Sequence, residues 1–212
     1  MIKIKHVEAI GFDPALRGMR NPMNSWHLSD SDATNNVIGE NDLKLAKQLA
    51  KAGTDHSKYL RMIPVYMDIT APLYWWKEFD TYKVGTVANS CSTMHKIHAK
   101  EFTLDDFSHD HLLPQWESVL MGTIEALNEC RCAYVEKSVT DKSAPDKKQL
   151  WWQMIQLLPS SYNQKRTVML NYQALMNIHH ARKTHKLDEW REFCRVVETL
   201  PYFKEIYLVS TD

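Results

Sequence analysis

The spacing of apolar residues predicts an alternation of strands and helices along the chain. A period of two indicates a strand, and apolar residues recurring every three to four positions indicate an amphipathic helix. Residues 17–36 show neither period and are rich in Asn, Ser, Asp and Pro, which predicts a long loop of the kind that often binds ligands. The predicted strands cover residues 1–10 and 63–70, and the predicted helices cover residues 41–53, 72–79, 113–134, 151–158, 170–182 and 187–200.

Two further segments have a distinctive composition without a clear period. Residues 84–95 are small and rich in hydroxyl groups, and such a segment can fold closely around a ligand. Residues 136–148 are charged, which predicts an exposed connection between two helices. Because no repeat and no linker divides the chain, we expect one domain over residues 1–212 with a mixed α/β (α+β) fold.

The charge balance excludes some classes of partner. The 26 Lys and Arg residues offset the 26 Asp and Glu residues, so no general basic field attracts nucleic acid. No apolar run approaches about 18 residues, so no membrane-spanning helix is expected. An anionic ligand would therefore have to be held by a local cluster of cations.

The cysteines and histidines do not predict a metal site. Cys130 and Cys132 lack a second pair of ligands, and the histidines form no recognised metal motif. The N-terminal residues lack the long apolar region of a secretory signal, so we expect a cytoplasmic protein with reduced thiols. The histidines that lie close together in the sequence are His109, His111, His179, His180 and His185.

The segment Leu170–Arg182 carries the most informative pair of polar residues. Asn171 and Arg182 are eleven positions apart, close to about three helical turns, so a helix would place them near one face. An amide beside a fixed guanidinium suits a planar ligand with carbonyl oxygens. A solvated arginine and a hydrogen-bonded core asparagine are the simpler alternative. The stripe expected to be buried consists of Leu170, Ala174, Leu175, Ile178 and Ala181.

This segment resembles the C-terminal signature of the flavin-dependent thymidylate synthase family. The resemblance implies that Asn171 contacts the flavin and that Arg182 contacts the uracil ring of dUMP. Leu158-Pro159 precedes Asn171 by the interval found in the family. Leu187-Asp-Glu-Trp190 lies about where the family has Ala-Gln-Trp-Glu.

The middle of the chain resembles the same family in its spacing. Ala71-Pro72 matches the end of a family strand, and Lys77–Lys83 follows at the distance of the family's Arg-Gln-Trp-Phe-Arg-His-Arg. One residue further than expected, Asn89–His95 takes the place of the family's Asn-Glu-x-Ser-x-Arg-Tyr. The correspondence covers roughly residues 40–205, and agreement of intervals at several places is less easily obtained by chance than one short motif.

The resemblance implies a fold, ligands and an assembly. It implies a small sheet flanked by long helices, FAD as the cofactor, a pyrimidine nucleotide as the substrate, a folate as the carbon donor and a homotetramer. Arg182 would be the catalytic residue that polarises the uracil carbonyl. The implied flavin contacts are Thr81, Tyr82, Lys83 and Asn171, and the implied nucleotide contacts are Glu78, Asn89, Ser92, His95 and Arg182.

The departures from the family pattern fall on its binding cations. Thr81-Tyr82-Lys83 replaces Arg-His-Arg, and Ser92-Thr93-Met94 replaces the Ser-Gly-Arg that holds the phosphate of dUMP. The second phosphate arginine falls on Ile155, and a histidine expected before the strand falls on Met62. Other cations would then have to anchor the phosphate, and the candidates are Arg17, Arg20, Lys83, His95, Lys96, His98 and Lys165.

Two functions therefore stay open at the level of sequence. One is an enzyme that performs reductive one-carbon transfer to C5 of a pyrimidine, and the other is a non-catalytic protein that binds a nucleotide in a remodelled pocket. A purely structural subunit ranks below both, because a buried Asn and Arg without a ligand would reduce stability unless paired. A bound yellow chromophore would separate the first two. The paired tryptophans Trp75-Trp76 and Trp151-Trp152 are expected in the core or at a subunit interface rather than on a base.

Overall fold

The computed structural model describes residues 2–32, 34–35, 37–136 and 145–208. They form a mixed fold in which helices accompany a four-stranded antiparallel sheet, and this confirms the predicted fold class. The strands are β1 (Lys3–Ala9), β2 (Pro64–Pro72), β3 (Val87–Ser90) and β4 (Asn163–Asn171). The helices are α1 (Phe12–Arg20), α2 (Glu40–Lys51), α3 (Leu73–Phe79), α4 (Thr93–Lys96), α5 (Pro114–Glu136), α6 (Lys147–Leu157), α7 (Tyr172–Arg182), α8 (Asp188–Val197) and α9 (Phe203–Tyr207).

The sheet order is β1-β2-β4-β3. β4 therefore lies between two strands that precede it in the chain by many residues. Contacts divide the chain into two compact units. The first unit comprises Thr70–Phe79 and Ser90–Arg166, and the second comprises Ile2–Ile69, Asp80–Asn89 and the chain from Thr167 on. A single domain over the whole chain stays a prediction.

The core of the first unit forms where α5 packs against α6. One stripe of α5, containing Leu120, Ile124 and Leu127, is buried, as the helical period of the sequence predicts. Trp75 and Trp76 are buried on α3, whereas Trp152 on α6 is exposed. The buried cluster consists of Ile97, Phe102, Phe107, Leu120, Ile124, Leu127 and Met154.

The predicted loop over residues 17–36 is wrong at its beginning, because α1 continues to Arg20. Pro14 lies in the first turn of this helix, where a missing backbone N–H leaves no intrahelical bond unmade. Ala15, Leu16 and Met19 are buried in the second unit. The apolar stripe of α1 is short, and Gly18 and the polar residues after it follow closely. The sequence therefore shows no clear helical period in this segment.

The predicted helix over residues 170–182 begins too early, since β4 runs to Asn171. Gln164, Val168 and Leu170 are buried on this strand, while Lys165 and Thr167 are exposed. Because polar residues occupy both buried and exposed positions of β4, the sequence does not show the alternation of apolar and polar residues that identifies a strand. Of the predicted stripe, Leu170, Leu175 and Ile178 are buried, Ala174 is half-buried and Ala181 is exposed.

The small-residue segment 84–95 contains β3 and α4, and most other predicted elements agree with the structure within a few residues. Residues 137–144 of the predicted connection lie outside the described part of the chain. No described helix is long and apolar enough to cross a membrane. The four cysteines carry free thiols, and a cytoplasmic location stays a prediction.

Candidate functional site

The guanidinium of Arg182 is held in an aromatic setting within the second unit. Its Nε donates a hydrogen bond of 2.8 Å to the hydroxyl oxygen of Tyr82. The guanidinium carbon lies 4.9 Å from the ring centroid of Trp190 and 5.6 Å from that of Tyr82. Cation–π contacts of this kind hold arginine in place while it keeps its charge. Arg182 is therefore half-buried and oriented by two rings.

Asn171 is set by a different contact at the other end of α7. Its Oδ1 accepts a hydrogen bond of 2.9 Å from the backbone N–H of Ala174, so it caps the helix. A β-carbon at Gly85 would lie 2.5 Å from Nδ2 of Asn171. The absence of a side chain at Gly85, whose φ is 71°, lets the backbone approach this amide.

Asn171 and Arg182 lie at opposite ends of α7. Asn171 precedes α7 and Arg182 ends it, so eleven residues at 1.5 Å each separate them by about 16 Å along the axis. Both contact one short segment of the chain, because Tyr82 contacts Arg182 and Gly85 approaches Asn171. The segment from Tyr82 to Gly85 thus reaches both ends of α7.

The other predicted flavin contacts lie in the same segment. Thr81 and Lys83 are exposed, and the backbone N–H of Lys83 donates to the carbonyl oxygen of Thr81 over 3.2 Å. Lys83 supplies the cation among residues 81–83. Asn89 is exposed on β3 of the second unit.

The remaining predicted nucleotide contacts belong to the first unit. Ser92 is exposed and caps the short helix α4, since its Oγ accepts a hydrogen bond of 3.1 Å from the backbone N–H of His95. The side chain of His95 is also exposed. Glu78 lies half-buried on α3. Each unit therefore carries part of the predicted set.

A cavity of about 440 Å³ opens beside α7 in the second unit. The buried hydroxyl of Ser57 donates to Oε1 of Gln173 over 2.7 Å, and Nε2 of Gln173 donates to Oδ1 of Asn177 over 3.4 Å. This direction of donation leaves Nδ2 of Asn177 as a donor at the end of the chain of amides. The cavity is lined by Ala50, Lys51, Gly53, Thr54, Ser57, Leu60, Gln173, Met176, Asn177, His180, Ile206 and Tyr207.

Two of the proposed substitute cations are engaged elsewhere. Arg20 is 3% exposed, and its Nε donates to Oδ1 of Asp42 over 2.5 Å. Burial alone would raise the pKa of Asp42, but hydrogen bonds from Ser31, Ser29 and Arg20 hold it below its ordinary value. Arg20 is thus a structural residue, and the expectation that it reaches a ligand is wrong. Arg17 forms an exposed ion pair of 3.3 Å with Asp13.

Some further residues near the candidate site can be recognised in the sequence. Gln173, Asn177 and His180 recur at i, i+4 and i+7 and form a polar stripe on α7, which helical spacing predicts. Trp190 was visible in the matched Leu187–Trp190 segment. The role of Gly85 cannot be recognised from its neighbours in the sequence, because only the fold brings it close to Asn171.

Comparisons with known proteins give a likeness at the level of the fold. The chain is similar to thymidylate synthase X from Helicobacter pylori solved with FAD and dUMP, with a TM-score of 0.66, 16% identity and coverage of 99% of this chain and 97% of the other. A second structure, flavin-dependent thymidylate synthase from Helicobacter pylori complexed with FAD and dUMP, gives a TM-score of 0.65 and 16% identity over 97% of each chain. No family model and no curated protein sequence matches the chain.

Proposed function

We propose that this chain is a divergent relative of the flavin-dependent thymidylate synthases that binds FAD and a pyrimidine nucleotide. The observation that carries the proposal is the orientation of Arg182 by Tyr82 and Trp190. The shared fold supports it, because the Helicobacter pylori proteins were solved with FAD and dUMP. The reaction proposed is reductive one-carbon transfer to C5 of the base, with a folate as the carbon donor.

Arg182 would bind and polarise the base. A guanidinium presents N–H donors in a plane, and uracil presents carbonyl oxygens in the plane of its ring. A donor that is already oriented needs little reorganisation when negative charge develops on a carbonyl oxygen. Ser92, His95, Asn89 and Glu78 are the other residues proposed to contact the nucleotide.

The fit of a flavin rests on the cavity beside α7. About 440 Å³ lies within the usual range for small-molecule sites and holds a ring system rather than a complete FAD. Nδ2 of Asn177 and the exposed imidazole of His180 offer polar contacts to carbonyl and nitrogen atoms. Asn171, Tyr82, Thr81 and Lys83 would contact other parts of the cofactor. A bound flavin would supply the hydride of the reaction.

The alternative is a nucleotide-binding protein without catalysis. Segment 81–83 offers one cation, Lys83, and a lysine is a point charge rather than a bidentate fork for a diphosphate. This observation favours a less anionic ligand than FAD. Such a protein would still use Arg182 to recognise a base.

Absorbance between about 300 and 500 nm separates the two functions, together with mass spectrometry of any ligand released by heat. The enzyme is expected to show a flavin spectrum, before or after FAD is added, and to lose it when Arg182 or Asn171 is replaced. A colourless protein that ignores FAD and releases a nucleotide would contradict the enzyme and leave the binding protein.

We also propose that several copies assemble, as the resemblance implies. Exposed apolar side chains follow one stretch around α5, including Leu113, Trp116 and Val119. Aromatic and aliphatic side chains that remain exposed in one copy are typical of interfaces. Light scattering after size exclusion should give a mass well above one chain, and Val119→Lys should lower it. A single-chain mass at all concentrations would contradict assembly.

A further inference from the structure

A surface cavity of about 390 Å³ lies beside α1 in the second unit. It shares no lining residue with the cavity beside α7. Its volume falls within the usual range for small-molecule sites. The described residues that line it are Pro14, Arg17, Gly18, Asn21, Trp26 and Met62.

Trp26 forms one wall of this cavity and is held in an exposed position. Its Nε1 donates a hydrogen bond of 2.8 Å to Oδ1 of Asn21, although Trp26 is 52% exposed. The backbone N–H of Ser25 donates to the carbonyl oxygen of Arg20 over 3.2 Å, and Nη1 of Arg20 donates to the carbonyl oxygen of Ser25 over 3.3 Å. Arg20 is itself anchored on buried Asp42. An indole that is fixed without being buried offers apolar surface to an aromatic ligand.

Met62 forms another part of the wall, and its position depends on Gly18. A β-carbon at Gly18 would lie 3.2 Å from Sδ of Met62, so the absence of a side chain there lets the thioether lie close against α1. Met62 is 46% exposed. Thioether sulfur makes favourable contacts with aromatic rings. A cavity lined by both an indole and a thioether therefore suits a flat ring.

The polar groups of the cavity suit a carboxylate. Arg17 carries a positive charge, and none of the other described lining residues is acidic. The ion pair between Arg17 and Asp13 is 3.3 Å long and exposed, and such a pair contributes so little that an incoming carboxylate can compete with Asp13. Because Oδ1 of Asn21 accepts from Trp26, the Nδ2 group of Asn21 is the one that can donate to a ligand.

We propose that the cavity beside α1 binds a small aromatic carboxylate. The ring would lie against Trp26 and Met62, and the carboxylate would accept hydrogen bonds from Arg17 and Asn21. This site goes beyond the proposed function, since it requires neither FAD nor a nucleotide. Trp26 and Met62 are distant in sequence, so only the fold brings them to one cavity.

Benzoate, benzyl alcohol and acetate separate the contributions of the ring and the carboxylate. In protein with ¹³C-methyl methionine and ¹⁵N-indole tryptophan, benzoate should shift the methyl resonance of Met62 and the Nε1–H resonance of Trp26, with a Kd of about a millimolar or less. Benzyl alcohol lacks the charge and should bind about tenfold more weakly. Acetate lacks the ring and should shift neither resonance at the same concentration. The resonances are assigned by their loss in Met62→Leu and Trp26→Phe.

Variants of the charged and aromatic groups should have separate effects. Arg17→Gln should lower the affinity for benzoate by about tenfold and that for benzyl alcohol by less than about twofold. Trp26→Ala should weaken both ring compounds alike. Arg195→Gln is the matched control, because the side chain of Arg195 is 68% exposed, against 69% for Arg17, and likewise pairs with an acid of its own helix, Glu192. It is expected to leave both affinities unchanged.

Several outcomes would overturn the site. One is the absence of any shift of the two resonances up to about 10 mM benzoate, a result that does not depend on the folding of a variant. Equal affinities for benzoate and benzyl alcohol would overturn it, as would equal losses in Arg17→Gln and Arg195→Gln. If the expected pattern is found in a protein that binds neither FAD nor dUMP, this site is supported and the proposed function fails.

Discussion

The hydroxyl oxygen of Tyr82 accepts a hydrogen bond of 2.8 Å from Nε of Arg182, one hundred positions further along the chain. This contact joins the segment before β3 to the end of α7. The rings of Tyr82 and Trp190 also contact the guanidinium of Arg182.

Tyr82→Phe keeps the ring and removes the acceptor. We expect a loss of about 0.5–1.5 kcal/mol in the free energy of unfolding, since a net hydrogen bond is worth that much. If Arg182 binds the base, the affinity for dUMP should fall by up to about tenfold. Urea denaturation and calorimetry measure the two effects.

Tyr66→Phe is the control, because Tyr66 is an exposed tyrosine of the same unit on β2. It should change neither quantity. Tighter binding of dUMP by Tyr82→Phe would contradict the prediction, because the hydroxyl would then be competing with the ligand for Arg182.

Gly85→Ala tests the approach of the backbone to Asn171. Both Gly85 and Gly53 have positive φ, at 71° and 100°, so an alanine is strained at either position. A β-carbon at Gly53 has nothing within 4 Å, whereas one at Gly85 would collide with Nδ2 of Asn171.

We expect Gly53→Ala to reduce the free energy of unfolding by about 1–2 kcal/mol. Gly85→Ala should reduce the free energy of unfolding by more and should also weaken the binding of FAD. The reason is that Asn171 must move, which disturbs its cap on α7. Thermal unfolding and flavin absorbance measure the two effects. If both variants lose the same stability and FAD binding is unchanged, the close approach of Gly85 to Asn171 affects neither stability nor FAD binding.

Asp42→Asn should be strongly destabilising. Its carboxylate is fully buried and accepts from Arg20, Ser29 and Ser31. Removing one partner of a buried pair leaves the other charge uncompensated, at a loss of about 3–5 kcal/mol. Asp13→Asn breaks the exposed pair with Arg17 and should lose less than about 1 kcal/mol.

The same residue predicts a dependence of stability on pH. The pKa of Asp42 is below its ordinary value in the folded state, so its contribution is complete above the unfolded pKa of about 3.9. That contribution falls as the pH drops through the lower folded pKa. Chemical denaturation between about pH 2 and 6 should show a steeper loss below about pH 4 in the wild type than in Asp42→Asn. Parallel curves would contradict this account.

The thiols should react in two classes. Cys91 and Cys132 are exposed, while burial raises the pKa of the Cys194 thiol to about 11. Burial, followed by the charge of Glu129, also raises the pKa of half-buried Cys130. Since the thiolate is the reactive form, Ellman's reagent at pH 8 should modify Cys91 and Cys132 rapidly. Mass spectrometry should find Cys194 modified only after denaturation, and rapid native modification of Cys194 would contradict its burial.

The sequence by itself determined most of the helices and the mixed α/β class. Local periodicity predicts α2, α5 and α8, because each helix has an apolar stripe that depends on its own residues. Family spacing singled out Asn171, Arg182 and the segment 81–83, whose functional roles stay predictions. Local pattern could not separate β4 from α7, since an apolar run at a strand–helix junction fits either period.

Only the tertiary structure decided which of these residues meet. Tyr82 reaches Arg182, Gly85 reaches Asn171 and Arg166 stacks on Trp76 through contacts between residues distant in sequence. Periodicity reports the environment of one element and carries no information about such pairs. The insertion of β4 between β2 and β3 is likewise a non-local pairing. The physical reason is that strand neighbours are chosen by hydrogen bonds and packing across the sheet, which the order of residues along one strand does not specify.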